Sequence, residues 1–173
     1  MENKIQNTII RLATKEDCQN LSKIKLLCWK QTYSEIYPKN KIDNFDYDKN
    51  ANKFLSIIEN EKIKLFVVEV DDKIVGYMSC GEPVRPYKDY KQEIGLLYLL
   101  KEFQGLGIGS KLFYLAKQEI AKTGAKEFFI SCNKYNIKAQ NFYLKHGGII
   151  DEIDEDEEDR SYPQIKFIYK LHL

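Results

Sequence analysis

The sequence predicts an α+β chain of seven short strands and four helices, and three stretches carry that prediction. Residues 65–70 and 74–80 are apolar, β-prone runs separated by Asp71-Asp72-Lys73, the pattern of a hairpin. Residues 93–110 pass from an apolar run through glycines at alternate positions into a helical pattern. Residues 136–146 read as a short helix, stopped by Gly147-Gly148 and followed by two terminal strands, 149 to about 153 and 165–171.

The remaining elements follow in order. Residues 8–12 alternate as a first strand, and Thr14 followed by Asp17 opens a helix in the manner of a capping box. Leu21, Ile24, Leu27 and Cys28 recur at helical spacing and mark its inner face. The segment 29–38 then places Trp29, Tyr33 and Tyr37 between the first two helices, and Pro38 ends it. Residues 46–60 form the second helix, with Ala51, Phe54, Leu55 and Ile58 on one side. A polar loop covers residues 83–92. The helix after the glycines runs to about Thr123, where Gly124 caps it, and residues 127–132 are a fifth strand. No repeat, linker or low-complexity segment divides the chain, so a single domain over residues 1–173 is expected.

Composition excludes several classes. The 173 residues are 43% hydrophobic and 31% charged with net charge +1, which gives no overall electrostatic case for nucleic acid or a membrane surface. The N-terminal residues lack the apolar run of a signal peptide, and no stretch approaches the roughly 20 apolar residues of a membrane helix. A cytoplasmic protein is expected. Cys18, Cys28, Cys80 and Cys132 form no C-x-x-C pair and only His146 and His172 accompany them, so no metal site is expected and the thiols read as buried and reduced. The one nucleophile alternative, Cys132 activated by His146, lacks an orienting third residue.

The chemistry concentrates at the junction Glu93-Ile-Gly-Leu-Leu-Tyr-Leu-Leu-Lys-Glu-Phe-Gln-Gly-Leu-Gly-Ile-Gly-Ser110. Its near-continuous apolar run, residues 94–100, reads as a strand buried on both faces. Gly105, Gly107 and Gly109 let backbone approach a ligand, and the helix that follows offers unpaired N–H groups and a positive dipole end. That combination suits phosphate or pyrophosphate. A plain tight turn is the alternative. A Walker loop fails because Ser110 precedes Lys111, and a dinucleotide fingerprint fails on its spacing and on the absence of an acid at the end of the next strand.

Gln104-Gly-Leu-Gly-Ile-Gly109 resembles the Q/R-x-x-G-x-G/A signature of the GNAT (Gcn5-related N-acetyltransferase) superfamily. Asn136-Ile-Lys-Ala-Gln-Asn-Phe-Tyr-Leu-Lys-His-Gly-Gly148, about thirty residues on, is similar to that family's N-x-x-A-x-x-F-Y-x-K-x-G-F, departing only at Gly148, where Phe is usual. The resemblance implies a single mixed, mostly antiparallel sheet of about seven strands with helices on both faces. It implies acetyl-CoA as co-substrate and no metal. It also implies that strands four and five run parallel and splay. The coenzyme A arm would pair along Leu97, Tyr98 and Leu99, and the pyrophosphate would meet backbone N–H groups from Gly105 through Leu106, Gly107, Ile108 and Gly109 to Ser110, with Gln104 leading the loop.

The resemblance assigns further roles. Tyr143 would be the acid that protonates the departing thiolate, its plain alternative being a core aromatic beside Phe142. Asn136 would bond the pantetheine arm as well as cap its helix. The Leu99 N–H would polarise the acyl carbonyl. Glu93 stands where several GNAT enzymes carry a base, and a solvated glutamate at a strand end is its alternative. Trp29, Tyr33 and Tyr37 fall in the segment that lines the acceptor pocket in this fold, and Trp29-x-x-Thr32-Tyr33 is similar to a bacterial subset acting on polyamines or small amines. Core packing is their alternative, and an aromatic wall would also suit a cation.

Residues 151–159 hold eight acids, and without them the chain carries 18 acids against 27 bases, a net of +9. This run reads as a solvated loop or as a negative rim that draws in a cationic acceptor. The expected function is therefore acetyl transfer to a primary amine of a small, polyamine-like molecule. A protein N-terminal or lysine acceptor, as in the ribosomal type, and an idle acyl-CoA-binding module are the rivals. The expected partners are an amine acceptor, small or peptide, and neither nucleic acid nor membrane; a homodimer would match relatives, among which dimers are common.

Overall fold

The computed structural model describes residues 7–35, 39–154 and 163–171. Its elements are β1 (Thr8–Leu12), α1 (Cys18–Tyr33), α2 (Lys39–Asp43), α3 (Tyr47–Ile58), β2 (Ile63–Val70), β3 (Lys73–Gly81), β4 (Glu93–Leu99), α4 (Ile108–Ala121), β5 (Glu127–Asn133), α5 (Ile137–Lys145), β6 (Ile149–Asp154) and β7 (Gln164–Lys170). Turns of 3-10 helix precede α1 and follow β4, at Lys15–Asp17 and Lys101–Phe103. The strands form one sheet in the order β1-β2-β3-β4-β5-β7-β6. β1 pairs antiparallel with β2, and β7 does so with both β5 and β6, whereas β4 and β5 run parallel. The expected mixed, mostly antiparallel sheet of seven strands is present. No helix among the described residues is long and apolar enough to cross a membrane.

The chain divides into two compact units, Met1–Cys80 with Leu96–Ala116, and Gly81–Gly95 with Lys117–Leu173. In the first, α1 packs on α3, and Leu21, Val67, Tyr77, Met78, Leu112 and Phe113 are fully buried. Each such large apolar side chain contributes about 1.5–3 kcal/mol when removed from water. Local chemistry sets the boundaries. The Asp46 carboxylate accepts the Lys49 N–H at 2.8 Å and caps α3. Asp71 and Asp72 take φ of 49° and 63°, as a two-residue type I′ hairpin between β2 and β3 requires. Arg11 on β1 bonds Asp17 at 2.7 Å and also Glu69, and its guanidinium holds the Asp17 carboxyl below its ordinary range.

The second unit is built on β5, β7 and β6, with α5 beside them. Phe128, Phe129, Ile130 and Phe167 are fully buried, and β7 alternates buried and half-buried residues as a strand with one covered face does. Phe128 and Tyr169 are register partners on β5 and β7, and their rings stack 4.7 Å apart at 5°.

Five expectations need correction. α1 continues through Trp29 to Tyr33, so these two aromatics stand on the first helix and not between helices. No glycine or proline interrupts residues 18–33, and the helical ladder simply continues. A short α2 adds a third helix ahead of β2. Leu27, read as part of the inner face, is exposed, because Leu26 and Cys28 take the buried side. β4 is not buried on both faces: Ile94 and Leu100 are buried, while residues 96–99 are half-buried and Gly95 is exposed. The acidic run is also less loop-like than composition suggests, since its first four residues form the end of β6.

Candidate active site

In the first unit, the end of β4 and the glycine turn are tied into one piece. Gln104 Nε2 donates to the Leu99 carbonyl at 2.8 Å, and the Phe103 N–H donates to the Leu100 carbonyl at 2.9 Å. The Leu100 N–H donates to the Val75 carbonyl of β3 at 2.9 Å. Gly76 makes this approach of β3 and β4 feasible, since a Cβ there would lie 2.5 Å from the Tyr98 carbonyl oxygen. Gln31 of α1 clasps the turn from outside: its Oε1 accepts the Lys101 N–H at 2.9 Å and its Nε2 donates to Glu102 at 3.3 Å.

Gly105 and Gly107 take φ of +79° and +80°, and a Cβ on either would meet nothing within 4 Å. The left-handed backbone requires glycine there, and the space beside both is open. The α4 ladder starts with the Lys111 N–H donating to the Gly107 carbonyl at 3.1 Å, so the N–H groups of Ile108 and Gly109 precede it. Ile108 is buried and anchors the first turn, while Leu106 is exposed at the tip. This arrangement fits a phosphorylated ligand: an uncrowded turn, N–H groups outside any helical ladder and a positive helix end.

In the second unit, Glu93 opens β4 opposite Phe129 of β5. The parallel register of these strands consists of Glu93↔Phe129 and Ile94↔Ile130. Burial raises the Glu93 carboxyl above its ordinary range, opposed by the Val84 N–H, which donates to its Oε1 at 3.0 Å, and by the charge of Lys166. Glu93 is half-buried at this strand end. The loop 83–92 is fastened beside it. Tyr87 Oη lies 2.6 Å from Asp151 and 3.0 Å from Glu152, its single proton shared between the two carboxylates, and Lys88 pairs with Asp151. Lys166 sits 5.3 Å from the Tyr87 ring centre and donates to Ser131 at 2.8 Å. Asp151 and Glu152 thus hold this loop in place, and residues 155–159 of the run lie outside the described residues.

Asn136 caps α5, its Oδ1 accepting the Ala139 N–H at 3.1 Å. Two turns on, Tyr143 is buried, its ring 5.6 Å from that of Phe167 on β7. The helix closes in a Schellman motif: Gly148 N–H donates to the Tyr143 carbonyl and Gly147 N–H to the Leu144 carbonyl, both at 3.0 Å, with Gly147 at φ +86°.

Of the three aromatics expected to line an acceptor pocket, Tyr33 is buried, Trp29 half-buried, and Tyr37 lies outside the described residues. Lys25, one turn before Trp29, places Nζ 5.1 Å from the Trp29 ring centre and 2.8 Å from Asn50 Oδ1. Burial, with Lys53 nearby, lowers the Lys25 ammonium to about 8. The chain thus supplies its own cation to the Trp29 face. Tyr77 stacks on Tyr98 at 5.2 Å and meets Phe54 edge-on at 5.1 Å, and its buried hydroxyl has no hydrogen-bond partner among the described residues. Burial pushes the Cys132 thiol up to about 12, and His146 Nδ1 faces the Phe142 carbonyl at 2.8 Å. All four cysteines are buried, and none forms a disulfide with another.

Sequence reasoning missed Gln31, Lys25 and Tyr169. Gln31 and Lys25 sit in an otherwise ordinary amphipathic helix and carry no local signal. Tyr169 is marked only by the β7 alternation and by the second glycine at 148, whose partner no spacing rule reveals.

With this geometry in hand, relatives are informative. Solved structures place the fold first: the PaiA N-acetyltransferase of Thermoplasma acidophilum, solved with coenzyme A, superposes with TM-score 0.72 at 22% identity, covering 95% of this chain and all of that one. Ard1 of Thermoplasma volcanium superposes with TM-score 0.71 at 17% identity, covering 96% and 99%. By sequence, residues 9–148 match the acetyltransferase (GNAT) family, and the chain belongs to that family. Spermidine N(1)-acetyltransferase of Thermoplasma acidophilum is 25% identical over 150 residues, 84% of this chain and 90% of its own. The uncharacterized N-acetyltransferase YuaI of Bacillus subtilis is 28% identical over 124 residues, 70% and 69% of the two chains.

Proposed function

We propose that this acetyltransferase moves an acetyl group from acetyl-CoA to a primary amine of a small, polyamine-like acceptor, by direct attack with both substrates bound. The observation that carries the reading is the turn after β4, where Gly105 and Gly107 combine positive φ with open space ahead of α4. The backbone from Gly105 to Ser110 would hold the diphosphate, and Leu97, Tyr98 and Leu99 the pantetheine arm, beyond the short β4–β5 register. Asn136 would add a side-chain bond to that arm. When bound, acetyl-CoA supplies the activated acyl thioester.

The chain's own residues would do the rest. An alkyl ammonium of pKa ~10.4 is neutral in only about one molecule in a thousand at pH 7, so its proton must be removed. Glu93, whose carboxyl is raised by burial, is the better base for being raised. The Leu99 N–H would donate to the acyl carbonyl, and Tyr143 Oη would give up a proton as the thiol departs. The 25% identity to a spermidine acetyltransferase supports a polyamine-like acceptor. Lys25 beside Trp29 implies that Trp29 does not itself capture the acceptor's cation, which leaves Tyr33, Tyr37 and the acids beyond β6 to do so. A cytoplasmic location accords with use of acetyl-CoA.

Thiol release on mixing acetyl-CoA with spermidine, spermine, single amino acids and N-terminal peptides tests the reading. Turnover with a polyamine is expected. Turnover with peptides alone would move the acceptor to proteins, and none with any amine would leave a binding module. Tyr143→Phe is expected to lower kcat by about a hundredfold with little change in cofactor affinity, and an unchanged kcat would remove Tyr143 from the chemistry.

A further inference from the structure

The two glycines that end α5 have different reasons to be glycine. Gly147 has φ +86°, which a Schellman turn demands, and a Cβ there would meet nothing within 4 Å. Gly148 has no left-handed φ. A Cβ on Gly148 would lie 2.6 Å from Tyr169 Oη, 2.9 Å from Tyr169 Cζ and 2.9 Å from the Tyr143 carbonyl oxygen. Glycine at 148 therefore keeps a space that the Tyr169 phenol fills.

Tyr169 uses that space for one bond. Its Oη donates to the Tyr143 carbonyl at 3.0 Å, the same oxygen that accepts the Gly148 N–H. The His146 N–H also donates to that oxygen, at 3.2 Å, so Tyr169 supplies the one bond to it that comes from outside the helix end. Tyr169 is itself buried and fixed by its stack on Phe128. Two residues earlier on the same face of β7, Phe167 holds the Tyr143 ring at 5.6 Å. The sheet thus grips Tyr143 by its ring and by its backbone, in the last turn of α5, where an unbraced helix frays.

We infer that Tyr169 is a positioning residue for Tyr143, and that Gly148 exists to admit it. The inference rests on the reading of Tyr143 as the acid, and its test keeps the two apart. Kinetics of the full chain with acetyl-CoA and its best amine acceptor are compared for wild type, Tyr169→Phe, Tyr143→Phe and the double variant. Tyr169→Phe keeps the ring and its stack, so its melting temperature and its KM for acetyl-CoA should stay near wild type. Its kcat is expected to fall about fivefold, the scale of one lost hydrogen bond. In the Tyr143→Phe background the same change should have no further effect on kcat.

Unchanged kcat in Tyr169→Phe would overturn the inference while leaving the acid role of Tyr143 intact. A fivefold loss that persists in the Tyr143→Phe background would show that Tyr169 acts by some other route, and would overturn it equally. A loss that comes with a matching fall in melting temperature would reduce Tyr169 to a stabilising contact. Should Tyr143→Phe leave kcat unchanged, the acid reading fails first and Tyr169 has no acid to position.

Discussion

Two glycine turns close the two signature stretches of this chain, and they differ in what surrounds them. At the start of α4, Gly105 and Gly107 adopt left-handed backbone beside open space. At the end of α5, Gly148 adopts ordinary backbone and is walled in by Tyr169 and Tyr143. Open space alone does not mark a ligand site, because Gly124 and Gly147 also have positive φ with nothing nearby, and both merely end helices. What separates Gly105 and Gly107 is polarity: they lead into a helix N-terminus, with its donors, and not out of a C-terminus. The first turn leaves room for something outside the chain, whereas the second is filled by the chain itself.

The comparison breaks most visibly if the wrong glycine matters to the cofactor. Replacing Gly105 and Gly107 together by Ala forces side chains into left-handed backbone at about 1–2 kcal/mol each. Cofactor affinity is expected to fall by about tenfold or more, as read by calorimetry. Gly148→Ala should do the reverse. Overpacking against Tyr169 costs about 1–3 kcal/mol, so its melting temperature should drop while coenzyme A affinity stays near wild type. Pairing it with Tyr169→Phe, which removes the nearest atom, should recover part of the loss. Tighter dependence of coenzyme A on Gly148 than on Gly105 and Gly107 would invert the assignment.

A smaller effect concerns Glu93. Burial raises the Glu93 carboxyl, and a base must be deprotonated to act, so kcat/KM should fall as pH drops through a value above the ordinary carboxylate range. Glu93→Gln should flatten that acid limb in a pH–rate series. A limb that survives the substitution assigns proton removal to water.

How much of this could be read beforehand depended on whether the deciding force was local. The hairpin at Asp71-Asp72 and the stop at Gly147 each answer to dihedrals or hydrogen bonds within a few residues, and each stands where the sequence placed it. The turn at 104–109 was legible for the same reason. Burial was harder. The apolar run of β4 has the composition of a strand covered on both faces, yet residues 96–99 are half-buried, because exposure depends on what the sheet packs against. The acids at 151 and 152 looked like solvated charge, but Tyr87 and Lys88, more than sixty residues away, engage them. Lys25, to which no sequence signal points, sits over Trp29. Such pairings are set by the tertiary fold, and periodicity cannot announce them.

Everything turns on the open glycine turn as a holder of coenzyme A. Titration of coenzyme A into the purified full chain is the most direct measurement. Saturable heat at one site per chain, weakened by about tenfold or more in the folded Gly105→Ala/Gly107→Ala variant, is the predicted result. No heat in the wild type, or equal affinity in that variant, would contradict it.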